Sequence, residues 1–566
     1  MLCAVIAAAR SLAAPRAFRP LAATHRPATR VAEVASASVA AASKRRVERK
    51  RDAAVDRPPE TGGVSWILAE TATSTDEFRI NTYTTNRQSN PRVATDAGGG
   101  FVVVWQSQSQ DGSSTGVFGQ RYDSGGAPLG FEFSVNTYTT GAQSRPSVAR
   151  ASEGSFVVAW QSVQDGSGYG VVGRRYDAAG APLGDELRVN AATTAAQALP
   201  SVASDSSGNF VVVWVSQNLA DSGVFGRRYA SAGSPLGAEF RVSTYATSNA
   251  TFPAVASAAT GRFVVVWESF YPYGASAIRG RRYDDAGAPL GAEFRVNTLA
   301  TSSCGSPSVA SSPSGDFVVV WQGNQDGSGY GVFGRRFDSS GVPRGAEFSV
   351  NSFNLNDQSI PSVAVDADGS FAVVWQSEFQ DGALSGVFGR RYDSVGTALG
   401  SEFRVNAYTT NDQTASAIAG APGGGFVAVW QSDGQDGDAH GVFGRRFCPP
   451  LLSTTVDVTG ATTICPTATG GTATVTDVDG GTRSHQWCYR TSGGPRIPMA
   501  GRTGAVCVVD GASFPGPGSY YLSCYTTPEC GTPTLSNEVV IVVAADTTPP
   551  SIAAPPPATF TQATCN

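Results

Sequence analysis

Seven short apolar runs recur along most of the chain, and each of them ends in a tryptophan. The runs read FVVVW or a close variant such as FVVAW or FAVVW, and consecutive tryptophans lie 53 to 55 residues apart. An apolar run without polar alternation is typical of a strand that is buried on both faces. The regular spacing indicates one structural unit that is repeated seven times. The tryptophans are Trp105, Trp160, Trp214, Trp267, Trp321, Trp375 and Trp430.

Each unit contains three further strand candidates around this run. A Pro-x-Val-Ala segment precedes it, as at residues 146–149, a GVFGRRYD segment follows it, as at 331–338, and an EFRVN segment ends the unit, as at 293–297. Asp-Gly commonly follows the tryptophan run, and a Gly-x-Pro-Leu-Gly turn separates the last two strands. Asp-Gly favours tight hairpins because glycine adopts positive φ at little cost. The pattern predicts four short antiparallel strands in each unit.

Four strands per unit, repeated seven times, predict an all-β fold that contains a seven-bladed β-propeller. A solenoid is the alternative, but the strands are short and joined by hairpins. The first repeat element, residues 77–81, is a fourth strand without a third strand before it, and the last, residues 441–447, is a third strand without a fourth. We therefore expect the N-terminal strand to complete the last blade, which closes a ring over residues 76–448 and removes free sheet edges.

A different strand pattern follows the repeats, over residues 452–545. The residues Ile464-Cys465-Pro466, Gln486-Trp487, Gly518-Ser-Tyr520-Tyr521 and Cys530 resemble the Ig-like modules of large secreted bacterial surface proteins. The 54-residue repeat is similar to uncharacterised tandem repeats of the same class of protein. This resemblance implies an Ig-like β-sandwich with a disulfide between Cys465 and Cys530. It leaves open the pairing of Cys448, Cys488, Cys507 and Cys524.

The two ends of the chain differ in composition from the rest. Residues 1–75 begin with an Ala- and Arg-rich segment that has few acids and no core pattern, which predicts disorder. Residues 546–566 form a Pro-rich linker that resembles the opening of a hyalin-type repeat, another extracellular adhesion module.

Composition excludes several kinds of chemistry. Both lysines, Lys44 and Lys50, lie in the first 50 residues, and the three histidines form no cluster. The net charge is −5 and the repeats contain no basic block, which argues against nucleic-acid binding. No apolar stretch is long enough to span a membrane. Seven of the nine cysteines follow the repeats, which predicts an oxidising, extracellular or cell-surface location.

Recurring polar residues mark one face of the predicted propeller. An Asp-Gly aspartate stabilises a turn, and a ring of such carboxylates is also suited to bind cations or sugars. Arg-Arg pairs recur in six units, and we expect them to pair with a glutamate of the next strand, such as Glu347. The aspartates predicted as ligand-binding residues are Asp111, Asp165, Asp326, Asp381 and Asp436.

Departures from the repeat provide the remaining candidates. In the fourth unit the Gln-Asp-Gly loop is replaced by a segment with Phe270, Tyr271 and Tyr273, aromatics that can stack on a sugar or a partner protein. Asp366 and Asp368 resemble half of a calcium loop, although calcium needs about 6–8 oxygen ligands.

Uniform repetition favours a non-enzymatic extracellular protein that acts as a binding unit or scaffold. Its predicted partner is an unidentified protein or glycan, and it needs no cofactor, although calcium is an alternative that would make it a calcium-dependent adhesin. A further alternative is a polysaccharide hydrolase or lyase that uses unrepeated acids such as Glu268 or Glu378. That alternative requires two carboxylates in one cleft, about 5–9 Å apart.

Overall fold

The structure of the protein is a computed structural model. It describes residues 75–218, 222–244, 250–270, 276–299, 303–325, 327–447, 454–459, 463–464, 469–477, 483–500, 502–528, 534–536 and 538–543. The predicted disorder of the N-terminal segment, the hyalin-type end of the chain and the Cys465–Cys530 disulfide all lie outside the described residues, except for Thr75. Among the described residues, no helix has the length and hydrophobicity needed to cross a membrane.

Seven four-stranded antiparallel sheets occupy the repeats, and we number them 1 to 7 in chain order. Sheets 1 to 6 each consist of four consecutive strands. Sheet 7 takes its fourth strand from the start of the described chain, where Phe78 is opposite Gly444. The strands, sheet by sheet, are Gln88–Thr95, Phe101–Gln108, Thr115–Tyr122 and Phe133–Ser134; Gln143–Arg150, Phe156–Ser162, Gly170–Tyr176 and Leu187–Arg188; Gln197–Ser204, Phe210–Ser216, Gly223–Tyr229 and Phe240–Arg241; Ala250–Ser257, Phe263–Phe270, Ser276–Tyr283 and Phe294–Arg295; Cys304–Ser311, Phe317–Gly323, Gly331–Phe337 and Phe348–Ser349; Gln358–Val365, Phe371–Glu378, Ser385–Tyr392 and Phe403–Arg404; Gln413–Ala421, Gly425–Asp433, His440–Phe447 and Phe78–Arg79.

The second strand of each sheet is buried on both faces, as its apolar run predicts. All seven repeat tryptophans are almost completely buried. In sheet 5 the rings of Phe317 and Phe337 stack with centroids 4.8 Å apart, and Phe294 from the end of sheet 4 tilts against both. Aromatic pairs in such geometry add stability beyond the area they bury. Clusters of this kind lie between each pair of consecutive sheets, and also between sheets 7 and 1.

Glycine in the third strand leaves room for the aromatic ring of the fourth strand. A Cβ atom on Gly334 would lie 2.7 Å from the ring of Phe348, which is closer than real carbon atoms approach. The equivalent Gly280 faces Phe294 in the same way. This contact explains why the GVFGRRYD segment keeps its second glycine inside a strand, where glycine is otherwise unfavourable.

The first strand of every sheet contains a bulge, and it starts earlier than the Pro-x-Val-Ala pattern indicates. In sheet 2 the register shifts between Ser144 and Ser147, and Arg145 there has a φ of 51°. The bulged residue donates its N–H to a neighbouring sheet in several cases, for example from Arg145 to Gln106 Oε1 at 3.1 Å. The bulged residues are Asn90, Arg145, Leu199, Phe252, Ser306, Ile360 and Ala415.

Two further sheets follow the repeats. One has three strands, Thr454–Thr459, Thr469–Asp477 and Val506–Asp510; the other has six, Thr463–Ile464, Val539–Val543, Gly518–Pro528, Arg483–Arg490, Ile497–Pro498 and Thr534–Leu535. Their buried side chains form one core that includes Ala473 and Val509 from the first sheet and Leu522 from the second. The indole of Trp487 donates to the carbonyl of Gly504 at 2.8 Å. Two 3₁₀ turns, Pro422–Gly424 and Gly511–Ser513, are the only helical segments in the described residues.

The all-β class and the repeated four-stranded unit are therefore confirmed. The antiparallel sheets of about 54 residues each fit a tandem β-propeller-type repeat.

Candidate functional site

The aspartates of the Gln-Asp-Gly loops are held inside their own sheets. One oxygen of Asp111 accepts the N–H of Ser113 at 3.2 Å, and the other accepts the Nδ2 of Asn136 at 3.2 Å. Asp381 repeats this arrangement with Ala383 and Asn406. These bonds stabilise the turn and anchor it to the fourth strand.

Two of the remaining loop aspartates, Asp165 and Asp436, each form only one of these two kinds of bond. Asp165 accepts the N–H of Ser167 at 3.2 Å, and Asp436 accepts the Nδ2 of Asn81 at 3.1 Å. Asp326 lies outside the described residues. Among the described residues, no three of these carboxylates come together as a metal-binding group. Their role in ligand binding stays a prediction.

The aromatic segment of the fourth unit is described only at its start. Phe270 ends the second strand of sheet 4, and 40% of its side chain is exposed. Tyr271 and Tyr273 lie outside the described residues. A stacking surface formed by these three rings stays a prediction.

Glu268 and Glu378 lie on the second strands of sheets 4 and 6. Neither residue lines the main cavity described below. A catalytic role for either acid stays a prediction.

Glu268 has an unusual environment of its own. It replaces a glutamine that other sheets carry at this position, such as Gln322, whose Oε1 accepts the N–H of Ile360 at 3.0 Å. One oxygen of Glu268 accepts the N–H of Ser306 at 3.3 Å in the same way. Burial raises the pKa of Glu268 to about 7, although the bond from Ser306 opposes this shift. Glu268 thus sits in a site that is built for a neutral amide.

The main cavity among the described residues lies where the first strands end and turn into the second strands. We call it the turn cavity; its volume is about 950 Å³. All seven sheets contribute to its wall, so residues about 54 positions apart in the sequence face one space. The wall residues include one from each of sheets 1 to 7, in this order: Asp96, Arg150, Asp205, Ser257, Ser311, Asp366 and Gly420. A concave site with a few converging polar groups is the usual form of a ligand-binding or active site.

The carboxylates of the turn cavity have contrasting surroundings. Burial raises the pKa of Asp366 above its usual value, although the N–H of Ala367 donates to its carboxylate at 2.7 Å. Asp96 forms an ion pair with Arg150 at 2.8 Å and accepts the N–H groups of Gly98 and Gly100. Asp366 therefore holds its proton more tightly than an ordinary aspartate. The negative charge of Asp96 is balanced by Arg150. Different surroundings of this kind let two acids take different roles.

The calcium prediction rests on two residues of this cavity, Asp366 and Asp368. Asp368 accepts the N–H of Ser370 at 2.8 Å and its hydroxyl at 2.6 Å. Within the described part of the chain, no group of three or more His, Cys, Asp or Glu residues could hold a metal ion. A calcium role for these two aspartates stays a prediction.

The Arg-Arg pairs contact backbone carbonyls rather than the glutamate named in our prediction. Arg335 donates to the carbonyl of Val296 at 2.9 Å, which belongs to the preceding sheet. Glu347 instead accepts the N–H of Thr298 at 2.8 Å and the amide of Gln325. Both the arginines and the glutamate thus tie neighbouring sheets together. The sequence could not show this because the partners lie about 40 to 50 residues away.

No protein-family model and no curated protein matches the sequence. Solved structures do match. A protein of unknown function from Dyadobacter fermentans is 12% identical, covers 67% of this chain and 99% of its own, and has a TM-score of 0.42. An α-L-arabinanase from Penicillium chrysogenum is 14% identical, covers 53% of this chain and 92% of its own, and has a TM-score of 0.39. A polysaccharide lyase is 11% identical, covers 67% and 98%, and has a TM-score of 0.39. Similarity at this level assigns no reaction to this chain.

These comparisons nevertheless contradict our main functional prediction. We expected a non-enzymatic binding or scaffold protein, whereas the similar propeller structures include an arabinanase, arabinofuranosidases and a polysaccharide lyase. The error came from treating uniform repetition as evidence against catalysis. A fold built from repeats can still carry different residues in its equivalent turns, as it does around the turn cavity.

Proposed function

We propose that the seven sheets form one closed seven-bladed β-propeller over residues 76–448, followed by an Ig-like sandwich over residues 452–545. The apolar cluster between sheets 7 and 1 supports closure, because it has the same kind of members as the other six clusters. The pairing of Phe78–Arg79 with His440–Phe447 supports it as well. The core shared by the two C-terminal sheets supports a sandwich.

We further propose that the protein cleaves a polysaccharide by hydrolysis in the turn cavity. The observation that carries this proposal is the contrast between Asp366 and Asp96, which line the same cavity. Asp366, with its raised pKa, would donate a proton to the glycosidic oxygen. Asp96 would stabilise the positive charge on the sugar while the bond to the protonated oxygen breaks and water adds to the anomeric carbon, or would take the proton of that water. Serine hydroxyls in the wall suit a ligand rich in hydroxyl groups.

The location proposed for this reaction is outside the cell. Polysaccharides are accessible there, and the cysteine-rich segment after the repeats is typical of proteins from oxidising compartments.

The test is the release of reducing ends from a panel of neutral and acidic polysaccharides by the full chain. We expect cleavage of at least one polymer, and a loss of about 10²–10⁴-fold in Asp366→Asn, because that is the typical contribution of a general acid. Asp177→Asn is the matched control, since Asp177 caps an exposed turn by accepting the N–H of Ala181 at 2.7 Å. Undiminished activity in Asp366→Asn, or no cleavage of any polymer, would contradict the proposal.

A further inference from the structure

One position of the first strand, two residues after the bulged residue, is charged in a single sheet. We call the seven residues at this position the row. Six sheets have serine or alanine there, whereas sheet 1 has Arg92. Serines of this row bridge neighbouring first strands, for example where the Ser147 hydroxyl accepts the N–H of Val202 at 3.1 Å. Neighbouring first strands therefore lie close together at this position, and Arg92 is its one long, charged side chain.

A second arginine lies on the neighbouring first strand. Arg145 is the bulged residue of sheet 2, and its N–H donates to Gln106 of sheet 1, the sheet that carries Arg92. Both arginine side chains are exposed. Among the described residues, neither arginine forms an ion pair with a carboxylate, and the Arg92 guanidinium donates to the carbonyl of Pro91 at 2.8 Å.

No carboxylate of the described residues forms an ion pair with either arginine. The two guanidinium groups are close enough to repel each other, since the charge of Arg145 contributes to the lowered pKa of Arg92, after the larger effect of the surrounding protein atoms. The surrounding protein also lowers the pKa of Arg145. Two neighbouring arginines that are accessible to solvent are suited to bind an anion, since guanidinium groups match carboxylate and sulfate oxygens.

We propose that Arg92 and Arg145 together bind the carboxylate or sulfate group of an acidic sugar chain. The site is separate from Asp366 and Asp96. Its test measures binding alone, so its outcome does not depend on the cleavage reaction proposed above.

The experiment is isothermal titration calorimetry of the full chain with three probes. Tetragalacturonate presents carboxylates, a heparin-derived tetrasaccharide presents sulfates, and maltotetraose is neutral. We expect at least one acidic probe to bind, more weakly as salt increases, and maltotetraose to bind at least tenfold more weakly. The acidic probe that binds more tightly identifies the anionic group.

Matched variants locate the binding site. Arg92→Ser introduces the residue that four other sheets carry, and Arg145→Asn introduces the residue that sheet 1 has at its bulge, so both are compatible with the fold. We expect at least a tenfold loss of affinity in Arg92→Ser alone and a larger loss in the double variant. Arg188→Ser, which changes an exposed arginine on the outer strand of sheet 2, is the control and should bind like the native chain. If neither acidic probe binds, or if the double variant binds as tightly as the native chain, the proposal is wrong.

Discussion

Replacing Glu268 by glutamine should stabilise the folded protein at alkaline pH. Glu268 occupies a position where other sheets use glutamine, and it accepts the same kind of N–H bond from the bulged residue of the next sheet. Glutamine has nearly the same shape and can accept this bond through its Oε1. The substitution therefore keeps the contact and removes only the ionisable group.

The magnitude follows from the two pKa values of Glu268. The folded state retains its proton up to about pH 7, whereas the unfolded chain loses it near pH 4.5. Between these values the folded state binds more protons, so its stability falls as pH rises through this window and then stays low. A tenfold change in proton affinity is worth about 1.4 kcal/mol. Ionised Glu268 therefore costs the folded state on the order of 3 kcal/mol above pH 7.

Urea unfolding of the native chain and of Glu268→Gln at pH 4.5 and at pH 8 checks this prediction. We expect nearly equal free energies of unfolding at pH 4.5, and a more stable variant at pH 8 by about 2–3 kcal/mol. Glu153→Gln changes an exposed turn residue and is the control; it should match the native chain at each of the two pH values. Equal stability of the native chain and Glu268→Gln at pH 8 would show that the reasoning on burial is wrong.

Two further substitutions test the contacts between sheets. Ile80→Ala should lower the free energy of unfolding by about 2–5 kcal/mol, because Ile80 is 2% exposed in the cluster between sheets 7 and 1. Urea unfolding measures this loss. A change below about 0.5 kcal/mol would contradict closure through the N-terminal strand. Glu347→Ala should cost about 1–3 kcal/mol, because the N–H and hydroxyl of Thr298 would lose their acceptor; an unchanged midpoint of thermal unfolding would refute this estimate.

The repeat could be predicted because each unit repeats the same local information. The tryptophan runs and the GVFGRRYD segments predicted the second and third strands closely. A strand that is buried on both faces needs a continuous run of apolar residues, and such a run is visible in the sequence. The first strand begins earlier than predicted, at Gln143 rather than at residue 146 in sheet 2. The bulge explains the difference, because a residue with positive φ such as Arg145 has no characteristic sequence pattern.

The candidate site was harder to predict because it depends on contacts between distant units. Asp366 was noticed for its resemblance to a calcium loop, yet its raised pKa comes from burial in a cavity that all seven sheets line. Asp96 was not among the predicted site residues. Which turns face each other follows from the arrangement of the sheets and not from local sequence.

The central claim is that the turn cavity holds the polysaccharide while Asp366 acts on it. The most direct measurement is a crystal structure of Asp366→Asn with an oligosaccharide of the polymer that the native protein cleaves. The account predicts electron density for the sugar in the turn cavity, with a glycosidic oxygen within hydrogen-bond distance of position 366. A sugar bound instead at the Gln-Asp-Gly loops, with the turn cavity empty, would contradict it.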